Sequence, residues 1–171
     1  MRQDMQVQVS SNTEEWYTPP EYIDLARQVM GSISLDPASG KLPQAWINAE
    51  AYFTQDGLDQ RWWGRVWLNP PYGKTGGRSN QDIWIEKLEK EYLSNNVSEA
   101  VALINSRLGY KWYEDYCIRY PICLARERIR FINERGEQAG AAKCGSTFLY
   151  MGPNVALFSN VFSTIGRIIC P

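Results

Sequence analysis

Asn69-Pro70-Pro71-Tyr72 is the stretch whose residue types and order best suit a reacting centre. An exocyclic amino group on an aromatic ring is a weak nucleophile, because its lone pair is delocalised into the ring. Two acceptors that each take one of its hydrogens favour a pyramidal nitrogen with the pair available. The Asn69 side-chain oxygen offers one acceptor and the Pro70 carbonyl the other. Pro70 and Pro71 fix the backbone so that little freedom is lost on binding, and the Tyr72 ring can stack on a planar base. Asn-Pro-Pro is also an ordinary strand-ending turn, with Tyr72 as a packing residue.

Composition narrows the chemistry. The chain has no histidine, which removes the commonest general base and excludes Ser-His and Cys-His hydrolases and histidine-built metal nucleases. Cys117, Cys123, Cys144 and Cys170 show no C-x-x-C spacing, so free thiols and no metal are expected. Neither an apolar run of about 20 residues nor a charged-then-apolar leader is present, so no membrane partner and a cytoplasmic location are expected. The net charge of −1 is unevenly spread: residues 1–60 carry three basic and nine acidic side chains, residues 107–171 nine and five. That late basic excess fits a nucleic-acid-facing surface or ordinary surface variation.

Positioning such a centre requires a sheet. The 171 residues suit one core, read as a flexible arm over 1–13 and a single domain over 14–171. Pro19 and Pro20 suit the first turn of a helix that Thr18 caps and Gly31 closes, with Tyr22, Ile23, Leu25, Ala26 and Val29 inward. Ile33-Ser34-Leu35-Asp36-Pro37-Ala38 reads as a short strand with Asp36 at its carboxyl end. Residues 49–54 read as a strand or a helical turn. Arg65-Val66-Trp67-Leu68 is a strand that ends at Asn69, followed by a mobile Gly-rich loop over 73–80 and a helix capped by Asp82. The unbroken apolar run Ala100-Val101-Ala102-Leu103-Ile104 suits a strand covered on both faces. Residues 111–117 read as a helix; 122–124, 129–132 and 147–151 read as strands. The alternation from 66 to 124 predicts an α/β fold with an open, mostly parallel sheet and an antiparallel C-terminal hairpin.

Five short motifs in order resemble one family. Trp16-Tyr17-Thr18-Pro19, Leu35-Asp36-Pro37-Ala38-Ser39, Asp56-Gly57-Leu58, Trp63-Gly64 and Asn69-Pro70-Pro71-Tyr72 are similar to the phage-type DNA N6-adenine methyltransferases, the Dam family. The resemblance covers most of residues 16–90 and, more loosely, 163–169. It implies a Rossmann-like S-adenosylmethionine-dependent methyltransferase fold and methyl transfer to N6 of a flipped-out adenine in DNA at residues 69–72. It implies a location in a bacterial host cell if the gene is carried by a phage or prophage. It implies further that Tyr17, Thr18 and Pro19 line the methionine end of the cofactor, and that Asp36, Pro37 and Ala38 form its floor. Asp56 and Gly57 then hold the cofactor's adenine and Leu58 packs on that ring. Two departures stand out: only Ser39-Gly40 follows the first strand where a G-x-G-x-x-G loop is common, and Glu50 is the sole, weak candidate for the ribose acid. The sheet is therefore expected to be reduced on the ribose side.

For DNA, Lys74 and Arg78 in the Gly-rich loop and Arg126, Arg128 and Arg130 are the candidates, with Arg107 and Lys143 beside them. Alternating arginines on a strand share one face, which suits phosphates or an edge kept from aggregating by charge. The motif fits other planar N–H2 acceptors, in RNA or a glutamine amide, and a non-catalytic nucleic-acid-binding protein with a degenerate cofactor fold is the reading from another class.

Overall fold

The structure is a computed structural model, and residues 16–171 are described. The arm expected over 1–13 lies outside the described residues.

The described residues form nine strands and five helices. Seven strands form one sheet, in the order β2 (Ala51–Tyr52), β1 (Leu35–Asp36), β3 (Gly64–Leu68), β6 (Val97–Asn105), β8 (Ser146–Met151), β7 (Ile122–Ala125) and β9 (Gly166–Ile169). The first four are mutually parallel, while β8 runs antiparallel to both β6 and β7, and β9 antiparallel to β7. Five strands thus share one direction. The antiparallel C-terminal part is not a simple hairpin: β7 lies between β8 and β9, and α5 (Val155–Phe162) joins them. Beyond β1 the sheet ends with β2, a strand of two residues.

The alternation of side chains along the central strands builds two cores. Trp67, Val101, Leu103, Phe148 and Tyr150 face α1 (Pro20–Met30) and α5, through Ile23, Ala26, Val29, Phe158 and Phe162. Val66, Leu68, Ala100, Ala102, Ile104 and Leu149 face the other way, with Ile85 and Leu88 of α3 (Asn80–Leu93) and Tyr113 and Tyr116 of α4 (Lys111–Arg119). The period-two pattern of a strand sends neighbours to opposite faces, so β3 and β6 are apolar on both sides. Each large apolar side chain buried this way contributes about 1.5–3 kcal/mol.

Several local expectations are corrected. Thr18 is not the helix cap: Pro19, at φ −58° and ψ 150°, holds that position and no side chain caps α1. Gly31, at φ 81°, does close the helix, its amide bonding the Arg27 carbonyl at 2.7 Å. Asp82 does not cap α3, because Ser79 holds the cap position and Arg78 takes the Asp82 carboxylate at 2.6 Å. The Gly-rich loop is a two-stranded hairpin, β4 (Lys74–Thr75) with β5 (Arg78–Ser79), turning through Gly76 and Gly77 at φ 58° and 81°. Positive φ at both central residues is what a type I′ turn needs. Residues 129–132 form no strand; only Ile132 makes isolated bridges, to Tyr17 and Gln138. Between Gln44 and Tyr52 the chain forms α2 (Gln44–Ile47) and then β2.

Candidate active site

From β1 the chain moves outward to β2, then crosses back past β1 to β3. The strand order therefore reverses between β1 and β3. At such a switch point neighbouring loops diverge and leave a crevice outside the carboxyl ends of the strands. A cleft of about 630 Å³ lies there, a size typical of a small-molecule site. Its wall includes Tyr17 and Thr18 ahead of α1, Asp36 at the end of β1 with Pro37 and Ala38 after it, Asp56 and Gly57 after β2, and all of Asn69, Pro70, Pro71 and Tyr72 after β3.

Asn69 is held by an unusual partner. Its Nδ2 donates to the Trp16 carbonyl at 3.0 Å. Only the amide nitrogen can serve a carbonyl, so the other end, Oδ1, is the acceptor left over. It is buried and has no hydrogen-bond partner. Thr18 Oγ1 is a second buried, unpartnered atom on the same cleft. Buried polar atoms are nearly always paired, so two orphans on residues of one cleft wall single that wall out as the candidate site. The Thr18 carbonyl accepts from Trp46 Nε1 at 3.0 Å, which fixes this segment from behind.

Asp36 is 2% exposed. Gln44 Nε2 donates to Oδ2 at 3.0 Å and the Ala38 amide to Oδ1 at 3.4 Å. Gln44 also reaches Ser39 Oγ at 2.8 Å and accepts from the Ala49 amide at 3.0 Å, so it is itself locked. Burial pushes the Asp36 carboxyl up to about 7, against the opposing hydrogen bonds from Ser39, Ala38 and Gln44. No cation balances it among its bonded partners, so the carboxylate suits a positively charged ligand.

The turn after β2 is tightly seated. Trp62 Nε1 donates to the Gly57 carbonyl at 2.7 Å, and a Cβ at Gly57 would lie 2.1 Å from the Pro37 oxygen and 2.9 Å from the Trp84 ring. Asp56 beside it has φ 52°. Across the cleft, Tyr72 keeps 36% of its surface exposed and meets Phe131 edge to face at 6.2 Å. Asn80 Nδ2 holds the Tyr72 carbonyl at 2.9 Å.

Pro19 and Leu58 are not on the cleft wall: Pro19 is buried at the start of α1 and Leu58 turns half-buried beside Gly57. Glu50 is exposed and also off the wall. Sequence reasoning missed Gln44, Phe53, Trp67, Trp84 and Asn80, isolated polar and aromatic residues with no spacing that marks them as part of a site; Ser39 stands in one of the five motifs but was given no role. The cations stand outside the cleft. Lys74 is exposed on β4. Arg78 is engaged within the fold, bonding Asp82 and Glu86 at 2.6 Å each. Arg126, Arg128 and Arg130 are exposed but do not alternate on a strand, and Arg128 Nη1 bonds the Lys143 carbonyl at 2.6 Å. Their segment is nevertheless pinned at the cleft through Tyr17, whose backbone exchanges two 2.8 Å bonds with Ile132.

Among the described residues no helix is long and apolar enough to cross a membrane, and no group of three or more His, Cys, Asp or Glu side chains could hold a metal. An α/β sheet of this order, with its cleft at the switch point, is the Rossmann-like architecture of methyltransferases. Residues 6–166 match the DNA N-6-adenine-methyltransferase (Dam) family, and the chain belongs to it. It is thereby an adenine DNA methyltransferase in general terms. A search of curated proteins returned no match.

Proposed function

We propose that the protein moves a methyl group from S-adenosylmethionine to N6 of an adenine flipped out of DNA, with Asn69 Oδ1 and the Pro70 carbonyl holding the two N6 hydrogens. The observation that carries this reading is the Asn69 amide. Its donor end is fixed on Trp16 and its acceptor end is buried and unpaired on the cleft. An acceptor prepared in this way costs no reorganisation when the amino group arrives. Both hydrogens held in acceptors favour a pyramidal nitrogen whose lone pair can attack. When bound, S-adenosylmethionine supplies a methyl group whose sulfur keeps the bonding electrons as the N6 pair takes the carbon. The surplus N6 proton leaves to solvent, and no residue has to act as a shifted acid or base. The exposed side of Tyr72 stacks on the flipped base while Phe131 supports the ring.

The residues fit the cofactor. The Asp36 carboxylate meets its cationic amino end and the orphaned Thr18 hydroxyl gains a partner. Asp56 and Gly57 stand at the far wall for its adenine. A target inside a duplex must be extruded before this cleft can reach it, and Lys74, Arg126, Arg128 and Arg130 are the cations proposed to meet its phosphates.

The test is transfer of labelled methyl to DNA, RNA and protein acceptors assayed side by side, with calorimetry to score cofactor binding separately. Label in DNA at N6 of adenine supports the reading. Normal cofactor binding with no label in any DNA sinks it, and label in RNA or protein alone moves the acceptor.

A further inference from the structure

Just past β6 the chain makes a tight turn that holds an apolar side chain in solvent. The Arg107 carbonyl accepts from the Tyr110 amide at 3.1 Å. Gly109 has φ 86°, the conformation that the third residue of a type II turn requires. Its amide donates to Glu114 Oε1 at 2.8 Å, which ties the turn to α4. Leu108 at the apex is 84% exposed, the highest value among the exposed large apolar side chains of the described residues. The Arg107 guanidinium stands 5.7 Å from the centroid of the Tyr110 ring beside it.

The sheet decides where this turn stands. β6 is the parallel neighbour of β3, with Leu68 opposite Ala102, and adjacent strands lie about 4.8 Å apart. Both strands therefore release their chains at the same end, β3 into Asn69–Tyr72 and β6 into the Leu108 turn. The start of α3 links the two: Asn80 holds the Tyr72 carbonyl at 2.9 Å, and the next residue, Gln81, accepts from the Asn105 amide at 3.2 Å.

We infer that Leu108 is a wedge that fills the base stack when the target adenine leaves it. The inference rests on the flipped-adenine reading above. Extrusion of a base leaves a gap whose neighbours have lost their stacking partner, and an inserted apolar side chain restores contact and keeps the base from returning. Such a wedge must be bulky, apolar, exposed, rigidly presented and next to the pocket that takes the base. A single exposed leucine is ordinary; this one is held at the apex of a turn fixed by two hydrogen bonds, beside an arginine, and at the end of the sheet where the cleft opens, one strand from β3. Arg107 flanks it with a charge suited to the phosphate backbone.

Leu108→Ala tests this, because the side chain lies outside both cores and its loss leaves melting temperature and S-adenosylmethionine binding unchanged. Methyl transfer is followed on a duplex with the target adenine paired and on the same duplex with an abasic site opposite it, where extrusion is cheap. The variant is expected to be slower by about tenfold or more on the paired duplex and within about twofold of wild type on the other. A 2-aminopurine at the target position should also show a weaker flipped-base signal with the variant. Equal rates on the paired duplex, or the same loss on both, overturn the wedge alone. Wild-type protein inactive on both duplexes sinks the acceptor reading and the wedge with it.

Discussion

Asn69 Nδ2 is 3.0 Å from the carbonyl of Trp16, a partner fifty-three residues earlier in the chain. That one bond sets the direction of the whole amide, and so leaves Oδ1 as a buried acceptor on the cleft. In the proposed mechanism Asn69→Ala removes an acceptor whose bond matters most as N6 changes geometry. We expect turnover to fall by about 10²–10³, with affinity for S-adenosylmethionine nearly unchanged. Stopped-flow or single-turnover rates with parallel calorimetry check this. Equal losses in both would make the residue structural.

If Asp36 meets the cationic end of the cofactor as proposed, it ties cofactor binding to pH. Burial pushes its carboxyl up to about 7. A cationic ligand binds the ionised form and lowers that value in the complex, so binding releases a proton. Affinity is then full above about pH 7 and declines as pH falls through it, by as much as about tenfold per unit. Titrations from pH 8.5 to 5.5 should show this slope, and Asp36→Asn should bind weakly with the slope gone. The sign for folding is opposite: a raised carboxyl pKa means the folded state holds the proton longer, so this group lowers stability as pH rises from about 4 to 7.

Thr18→Val should move stability and binding in opposite directions. The Thr18 hydroxyl is buried without a partner in the free protein, a state that costs about 1–3 kcal/mol. Replacing it with a methyl of the same shape should raise the melting temperature, at about 2–4 °C per kcal/mol for a chain of this size. The cofactor should lose the hydrogen bond proposed for Thr18, weakening binding by about 2–10-fold. Melting curves with and without S-adenosylmethionine read both effects, and a lowered melting temperature without ligand would refute the orphan-hydroxyl account.

Gly57→Ala places a carbon 2.1 Å from the Pro37 oxygen, which is backbone and cannot yield. The turn over Asp56 must move away from the floor at Asp36–Ala38. Overpacking of this kind costs about 1–3 kcal/mol, and the displaced wall should weaken cofactor affinity by more than the Thr18 change. Urea unfolding and calorimetry measure the two losses.

The central strands were legible because Val66–Leu68, Ala100–Ile104 and Thr147–Met151 are apolar on both faces, the mark of a sheet covered by helices. β1 and β2 were harder to bound, since two-residue strands are defined by their neighbours' hydrogen bonds and not by a pattern of their own. Ile129 to Ile132 misled: Ile129 and Phe131 are buried in the core shared with α1 and α5, so the alternation records packing into that core and not a ladder. Thr18 fits a capping pattern equally well, but the backbone of Pro19 already occupies that position. At the site, the motif residues could be found as strand-end clusters. Their anchors could not, because the Trp16 carbonyl exists at every residue and Gln44 and Asn80 sit in no recognisable spacing.

The arginines separate by what already neutralises them. Arg78 bonds two carboxylates at 2.6 Å, Asp82 and Glu86, and Asp82 is largely buried. Its charge is spent within the fold, so Arg78→Ala should lower stability through the unpaired Asp82 and leave the salt dependence of DNA binding unchanged. Arg126 and Arg130 are exposed on the segment that Ile132 pins to Tyr17 at the cleft. A cation that contacts phosphate releases a counterion, so each removal should reduce the slope of log K against log salt by about 1. Fluorescence anisotropy on one duplex from 50 to 300 mM salt, on the order of the range where such slopes are read, distinguishes the two kinds of arginine. A reduced slope for Arg78→Ala with none for Arg126→Ala or Arg130→Ala would move the DNA surface from the pinned segment to the β4–β5 hairpin.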